Sequence, residues 1–193
     1  QIIHPSRCYG LFLKHGGEWD KAQDIPYFYR DFDQFSADIL RRLDADYSKI
    51  RERIKEMYPH KKFTYMLDYL TLDQKTNQTE KHNIVESFRL SRTLGAIKPP
   101  TVKTKEGTWK IDTNHRFFTD DIHYGLCIAK WAADRLEIDV PTIDEIIEWA
   151  QKLRQEVLIV NGKLQLDSVD LNKKFKSGIP YFYGYRTIDE IVD

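Results

Sequence analysis

The clearest periodicity in the chain runs from Phe35 to Met57. Phe35, Ile39, Leu43, Tyr47, Ile50, Ile54 and Met57 recur every three or four residues, with charged residues filling the gaps. That spacing places the apolar side chains on one face of a helix, with Asp33 positioned to cap its start and Pro59 just past its end. A second stripe, Ile122, Leu126, Ala129, Ala133 and Leu136, predicts another helix, with Thr119 as N-cap and Asp120 and Asp121 in a first turn whose dipole favours anions. A third is expected from Thr142, because Thr142-Ile143-Asp144-Glu145 has the form of a capping box ahead of Ile146, Ile147, Trp149 and Leu153. Shorter helical candidates cover Phe63 to Leu72 and Glu80 to Leu94, the latter stopped by Gly95.

Elsewhere the pattern changes. Lys98-Pro99-Pro100 breaks any helix, and Thr101 to Asp112 reads as a β-hairpin turning at Lys105-Glu106-Gly107-Thr108. Val157 to Leu166 reads as a tight hairpin, since Asn161-Gly162 suits a type I′ turn. Gln1 to Gly10, interrupted by Pro5, is expected to be extended, with a turn at His15-Gly16-Gly17 and an aromatic extended stretch at Ile25-Pro26-Tyr27-Phe28-Tyr29. The string Thr-Ile-Asp-Glu-Ile occurs at Thr142 and again at Thr187, a repeat of capping grammar and not of a structural unit. No compositional shift marks a boundary. One mostly helical domain over residues 1–193, with one or two small hairpins, is therefore the expected architecture.

Composition narrows the class. The chain has 193 residues, 41% hydrophobic and 31% charged, which suits a soluble globular domain with a sizeable core. Lys+Arg and Asp+Glu balance at 30 each, so no net field points to nucleic acid, and the lysines between Lys98 and Lys110 read as a solvated hairpin. No apolar run approaches the ~20 residues needed to cross a bilayer. The 2 cysteines, Cys8 and Cys127, are far apart and outside any CxxC pattern, which disfavours a disulfide framework or a zinc site and suits a reducing cytoplasm. The sequon Asn77-Gln78-Thr79 is read as chance. His115 and His123 lack a clear third metal ligand, and His60 and His82 are expected at the surface. The chain begins at Gln1 and not Met, which suggests a cut inside a longer protein.

The candidate chemistry lies in Asn114 to Leu126, NHRFFTDDIHYGL, where Arg116 can grip a carboxylate and Asp121 can orient an imidazole. Together with Ile2 to Gly10, IIHPSRCYG, this stretch resembles the C-terminal catalytic domain of the opine dehydrogenase family, the octopine dehydrogenase-like enzymes. That family carries a His-Pro just after its cofactor domain and, much later, an Arg followed five residues on by an Asp; here these are His4 with Pro5, Arg116 and Asp121. The resemblance implies a mainly α fold, the helical domain found behind the cofactor domain in 6-phosphogluconate dehydrogenase-like proteins. It implies reductive condensation of an α-keto acid with an amino acid, using NAD or NADP. His4 would exchange protons, Asp121 would orient it and Arg116 would bind a substrate carboxylate, while Arg7 and Tyr9 would line the pocket beside His4. His4 and Asp121 should then lie within roughly 3 Å, or be bridged by one water.

The resemblance also implies a gap. No GxGxxG follows a strand in this sequence. The cofactor would be bound mainly by an N-terminal Rossmann domain preceding the His-Pro, and this fragment alone is expected to bind NAD(P)H poorly and to turn nothing over. One departure is His123, which stands where the family often has Pro after Asp-Ile. Competing readings are a metallophore-type opine synthase, a 2-hydroxyacid or ketopantoate-like dehydrogenase, and a non-catalytic helical interaction module presenting Tyr27 to Tyr29 or Tyr181 to Tyr185.

Overall fold

In a computed structural model, which describes residues 2–77, 84–90, 94–171 and 177–192, two helices cross where no side chain larger than hydrogen fits. Helix α1 (Ile3–His15) meets α2 (Gln34–Met57) at Gly10, where a Cβ would lie 2.5 Å from Ser36 Oγ. The opening segment is therefore helical and not extended. Pro5 sits in the first turn, where the missing N–H has no intrahelical partner to lose. Everything from Pro5 to Leu11 is buried, so α1 is enclosed on all sides and has no polar face to reveal a helical period.

Helix α2 follows its predicted pattern. The Asp33 side chain accepts from Ser36 N at 2.8 Å, and Ile39, Leu43 and Ile50 are buried in the core. The next helices are shifted from expectation. Helix α3 (Tyr69–Asn77) begins later than Phe63, because Asp44 of α2 accepts from Tyr69 N and Asp68 from Thr71 N, fixing the first turn there. Helix α4 (Ile84–Arg89) ends before Gly95, and Gly95 is not among the glycines with positive φ, so it does not cap it. Residues 78–83 and 91–93, which include His82, part of the sequon and both flanks of that expected helix, lie outside the described residues.

Two small sheets complete the frame. Strands β1 (Glu18–Trp19), β2 (Thr101–Lys103) and β3 (Trp109–Ile111) form an antiparallel sheet in the order β1-β3-β2; the β2–β3 hairpin was legible, the short β1 edge was not. Strands β4 (Ile159–Val160) and β5 (Lys163–Leu164) pair across Asn161 and Gly162, whose φ values of 49° and 67° are those of a type I′ turn.

After the β2–β3 hairpin comes a broken helical run: α5 (Arg116–Thr119), a π turn (Ile122–Leu126) and α6 (Cys127–Leu136). Thr119 thus ends a helix and does not cap one. The cap of α5 is His115, whose ring accepts from Phe117 N at 3.3 Å. Asp121 lies at the start of the π turn, where its carbonyl accepts from Leu126 N and its carboxylate makes no cap bond. The stripe Ile122, Leu126, Ala129, Ala133 and Leu136 is nonetheless buried throughout.

Helix α7 (Pro141–Arg154) corrects a second capping expectation. Its first amides, Thr142 N and Ile143 N, donate to Asp46 Oδ2 of α2 at 2.7 and 3.2 Å, and Glu145 turns away to Tyr9 and Arg42. The same five-residue string at Thr187 does form the reciprocal box ahead of α8 (Asp189–Val192): Glu190 N donates to Thr187 Oγ1, and Thr187 N to Glu190 Oε2. The sequence is identical; the neighbour differs. Among the described residues no helix is long and apolar enough to cross a membrane, no His, Cys, Asp and Glu cluster could hold a metal, and both cysteines are free and buried.

Candidate active site

Helix α1 and the broken run 116–126 bring together two residues 117 positions apart. His4 Nδ1 lies 2.6 Å from Asp121 Oδ2, a contact in which the ring N–H donates to the carboxylate. The pair is mostly buried, with 19% of the His4 side chain and 12% of the Asp121 side chain exposed. The imidazole is held flat by Phe117, whose ring stacks on it at 3.6 Å and 13°, and Phe28 packs at its edge at 5.7 Å. The break between α5 and the π turn matters here. It frees the Asp121 carboxylate from the helix end and lets Phe117 and Asp121 approach one ring from two sides.

The second ring nitrogen, Nε2, is met by Tyr29, whose hydroxyl lies 2.9 Å away. Burial pushes the Tyr29 phenol above its usual value; the Arg116 charge opposes this and the Asp121 charge adds to it. Arg116 is exposed, and among the described residues no carboxylate forms an ion pair with it; its guanidinium stands 5.5 Å from the Phe117 ring centre. His115 sits edge-on to the same ring at 4.6 Å, its imidazole held below the usual value first by burial and then by Arg116. The site therefore brings together an imidazole fixed by a carboxylate, a neutral hydroxyl on the other nitrogen and an exposed guanidinium nearby.

Two expected pocket residues are elsewhere. Arg7 is 1% exposed and spends its guanidinium inside the protein, on Phe28 O at 3.1 Å, Asp31 O at 2.8 Å, Tyr27 O at 3.4 Å and Ser36 Oγ at 3.0 Å. Its Nη1 also lies 3.6 Å from Asp33 Oδ1, and it acts by tying the 27–31 turn, which carries Phe28 and Tyr29, onto α1. Tyr9 leaves α1 on the α7 side, where its hydroxyl donates to Glu145 Oε1 at 2.8 Å and its ring lies 5.0 Å from Trp149. Tyr29, by contrast, was missed. The sequence showed an aromatic run at that point but nothing to separate Tyr29 from Tyr27.

Two concavities lie away from His4. One of about 720 Å³ lies between α1 and α7 and is lined by Tyr9, Phe12, Glu148 and Trp149; another of about 510 Å³ is lined by Thr119, Asp120, His123, Arg154 and Glu156. In the second, His123 is enclosed: Nε2 meets Glu156 Oε2 at 3.0 Å and Nδ1 meets Thr119 O at 3.2 Å. Arg154 grips the same carboxylate through both oxygens, at 3.0 and 2.7 Å.

Known proteins resemble this chain in sequence and in fold. Residues 1–154 match the model of the NAD/NADP octopine/nopaline dehydrogenase family, α-helical domain. Tauropine dehydrogenase of Arabella iricolor is 26% identical over 196 residues, covering 99% of this chain and 47% of that protein. Octopine dehydrogenase of Mizuhopecten yessoensis is 26% identical over 197 residues, with 99% and 46% covered. The chain thus spans about half the length of the curated relatives it matches. Octopine dehydrogenase solved with NADH and pyruvate superposes with a TM-score of 0.80 at 22% identity, covering 99% of this chain and 45% of that one. The same enzyme with NADH and L-arginine gives 0.82, covering 98% and 46%. These are likenesses of fold, and they bear out a mainly α helical domain.

Proposed function

The chain belongs to the octopine/nopaline dehydrogenase family, and from that premise we propose that it is the substrate-binding and catalytic domain of an opine dehydrogenase, joining an α-keto acid to an amino acid. The observation that carries this reading is the 2.6 Å contact between His4 Nδ1 and Asp121 Oδ2, with the exposed Arg116 guanidinium nearby. The relatives and neighbours named octopine and tauropine dehydrogenase, and the structures holding NADH with pyruvate or L-arginine, support the class of substrate and cofactor.

The chemistry follows from the residues. Condensation needs one group that removes a proton from the attacking amine and later returns one to the carbinolamine hydroxyl, so that it leaves as water. Imidazole suits this because its two forms are both accessible near neutrality. Asp121 fixes the Nδ1–H tautomer, leaves Nε2 to exchange protons, and stabilises the imidazolium formed in between. Arg116 holds the keto-acid carboxylate with a planar fork, which sets the carbonyl carbon's orientation before attack. Reduction of the resulting imine takes a hydride from NAD(P)H. Among the described residues the positive-φ glycines lie at helix ends, in the turn before β1 and in hairpin turns, none of them a strand-to-helix loop that would cradle a dinucleotide. We therefore assign the cofactor to a separate dinucleotide-binding domain, whose surface would also cover His4.

NAD(P)H oxidation by the full-length enzyme, with pyruvate and related keto acids, each with and without a panel of amino acids, tests the reading. Oxidation that requires both partners supports an opine dehydrogenase, and the best amine names the product. Oxidation with keto acid alone points instead to a 2-hydroxyacid-type reductase, and no turnover with any pair contradicts the enzymatic reading.

A further inference from the structure

Resting on the catalytic reading of His4, the hydroxyl that occupies its second nitrogen becomes part of the site. With the Nδ1–H donated to Asp121, Nε2 of the neutral imidazole carries only a lone pair, and Tyr29 O–H is then the donor across the 2.9 Å contact. Tyr29 is 7% exposed, its ring edge-on to Phe28 at 5.0 Å and packed against Phe88 at 5.5 Å. Among the described residues its hydroxyl has no other hydrogen-bond partner. The hydroxyl is therefore aimed at one atom only.

Its placement is built. Arg7, one turn beyond His4 on α1, holds the carbonyls of Tyr27, Phe28 and Asp31, and Phe28 N in turn donates to Ile97 O at 2.7 Å. The same helix thus sets both the imidazole and the turn that brings the phenol to it. Burial holds the phenol neutral through the physiological range, so it acts as a donor and not as an anion.

We propose that Tyr29 is a positioning residue for His4: its O–H locks Nε2 as the bare, proton-accepting nitrogen and occupies the position that the substrate's amine N–H or carbinolamine hydroxyl takes over. Binding then exchanges one hydrogen bond at Nε2 for another. The imidazole need not rotate between the free and loaded states, and Nε2 is never left without a donor.

Tyr29→Phe in the full-length enzyme tests this, because it removes the hydroxyl and keeps the ring. The expected result is an unchanged melting temperature and a kcat lowered about tenfold as the ring loses its lock, with a keto-acid KM equal to or below wild type because nothing competes for Nε2. In protein labelled with 15N-histidine, the His4 Nε2 resonance moves to that of an unbonded ring nitrogen while the Nδ1–H signal persists. A kcat and KM both within twofold of wild type, or an unmoved Nε2 resonance, overturns the proposal. So does a lower kcat accompanied by a raised KM and a depressed melting temperature, which is the mark of packing alone. His4→Gln, measured alongside, separates the two levels. If it is inactive while Tyr29→Phe behaves as wild type, only the role of Tyr29 falls; if it keeps full turnover, the catalytic reading falls with it.

Discussion

Two histidine–carboxylate pairs meet at the π turn, one through Asp121 at its start and one through His123 within it, and they differ in what surrounds the second nitrogen. In His4–Asp121 that nitrogen meets a single hydroxyl, the imidazole is partly exposed, and the nearby Arg116 has no ion-pair partner among the described residues. In His123–Glu156 the second nitrogen faces a backbone carbonyl, the carboxylate is gripped by Arg154, and Arg154 also donates to Thr113 O. On the proposed reading, only the first exchanges a proton with a substrate. The second ties the π turn to the end of α7, which is a scaffold function. A short His–carboxylate distance is thus no mark of catalysis by itself; the occupancy of the other ring nitrogen decides.

The contrast can be broken in order of expected effect. Asp121→Asn keeps a hydrogen bond to His4 but frees the tautomer, and kcat for reductive condensation should fall by about 10²- to 10⁴-fold with the fold intact. A loss smaller than about threefold would mean that Asp121 does not orient the imidazole. Arg7→Met should lower stability by about 3 kcal/mol in urea unfolding, because three carbonyls lose a buried charged donor at once. If stability held and the keto-acid KM rose instead, Arg7 would belong to the cleft after all.

Arg116→Lys keeps the charge but not the fork, and the keto-acid KM should rise about tenfold with a smaller change in kcat. Equal loss for substrates with and without a carboxylate would remove Arg116 from that role. The scaffold pair should show itself in acid. Burial pushes the Glu156 carboxyl up, but hydrogen bonds and charge from His123 and Arg154 outweigh it and hold it at about 2, below its unfolded value of 4.5. A depressed carboxyl stabilises the fold above the unfolded value, and that contribution is lost as pH falls from about 4.5 towards 2. Glu156→Gln should flatten this loss, by on the order of 1–2 kcal/mol between unfolding curves at pH 5 and pH 3, and leave turnover near wild type. Parallel pH dependence in the two proteins would show that the pair is not a native-state clamp.

How much of this was legible follows from burial. Helix α2 has one wet face, so its stripe spelled out its length and its cap. Helix α1 is enclosed by α2, α7 and the 27–31 turn, and Pro5 disguised it further, so the element that carries His4 read as an extended segment. The meeting of His4 with Asp121 has no local signature at all; the two motif stretches supplied it by resemblance, together with Arg116. Arg7 and Tyr9 were drawn to the site by nearness in sequence; Arg7 shares His4's side of α1 but is buried on the carbonyls of the 27–31 turn, and helical rotation sends Tyr9 to the α7 side. The Thr-Ile-Asp-Glu-Ile string makes the same point: at Thr187 it caps itself, whereas at Thr142 Asp46 reaches the amides first.

The most direct test substitutes the two histidines in parallel in the full-length enzyme, His4→Gln and His123→Gln, and follows NAD(P)H oxidation with the preferred keto acid and amine. The first should lose activity by about 10²- to 10⁴-fold with an unchanged melting temperature, and the second should keep turnover within about threefold while melting earlier. Comparable losses in both, or an active His4→Gln, would contradict the assignment of proton exchange to the His4–Asp121 pair.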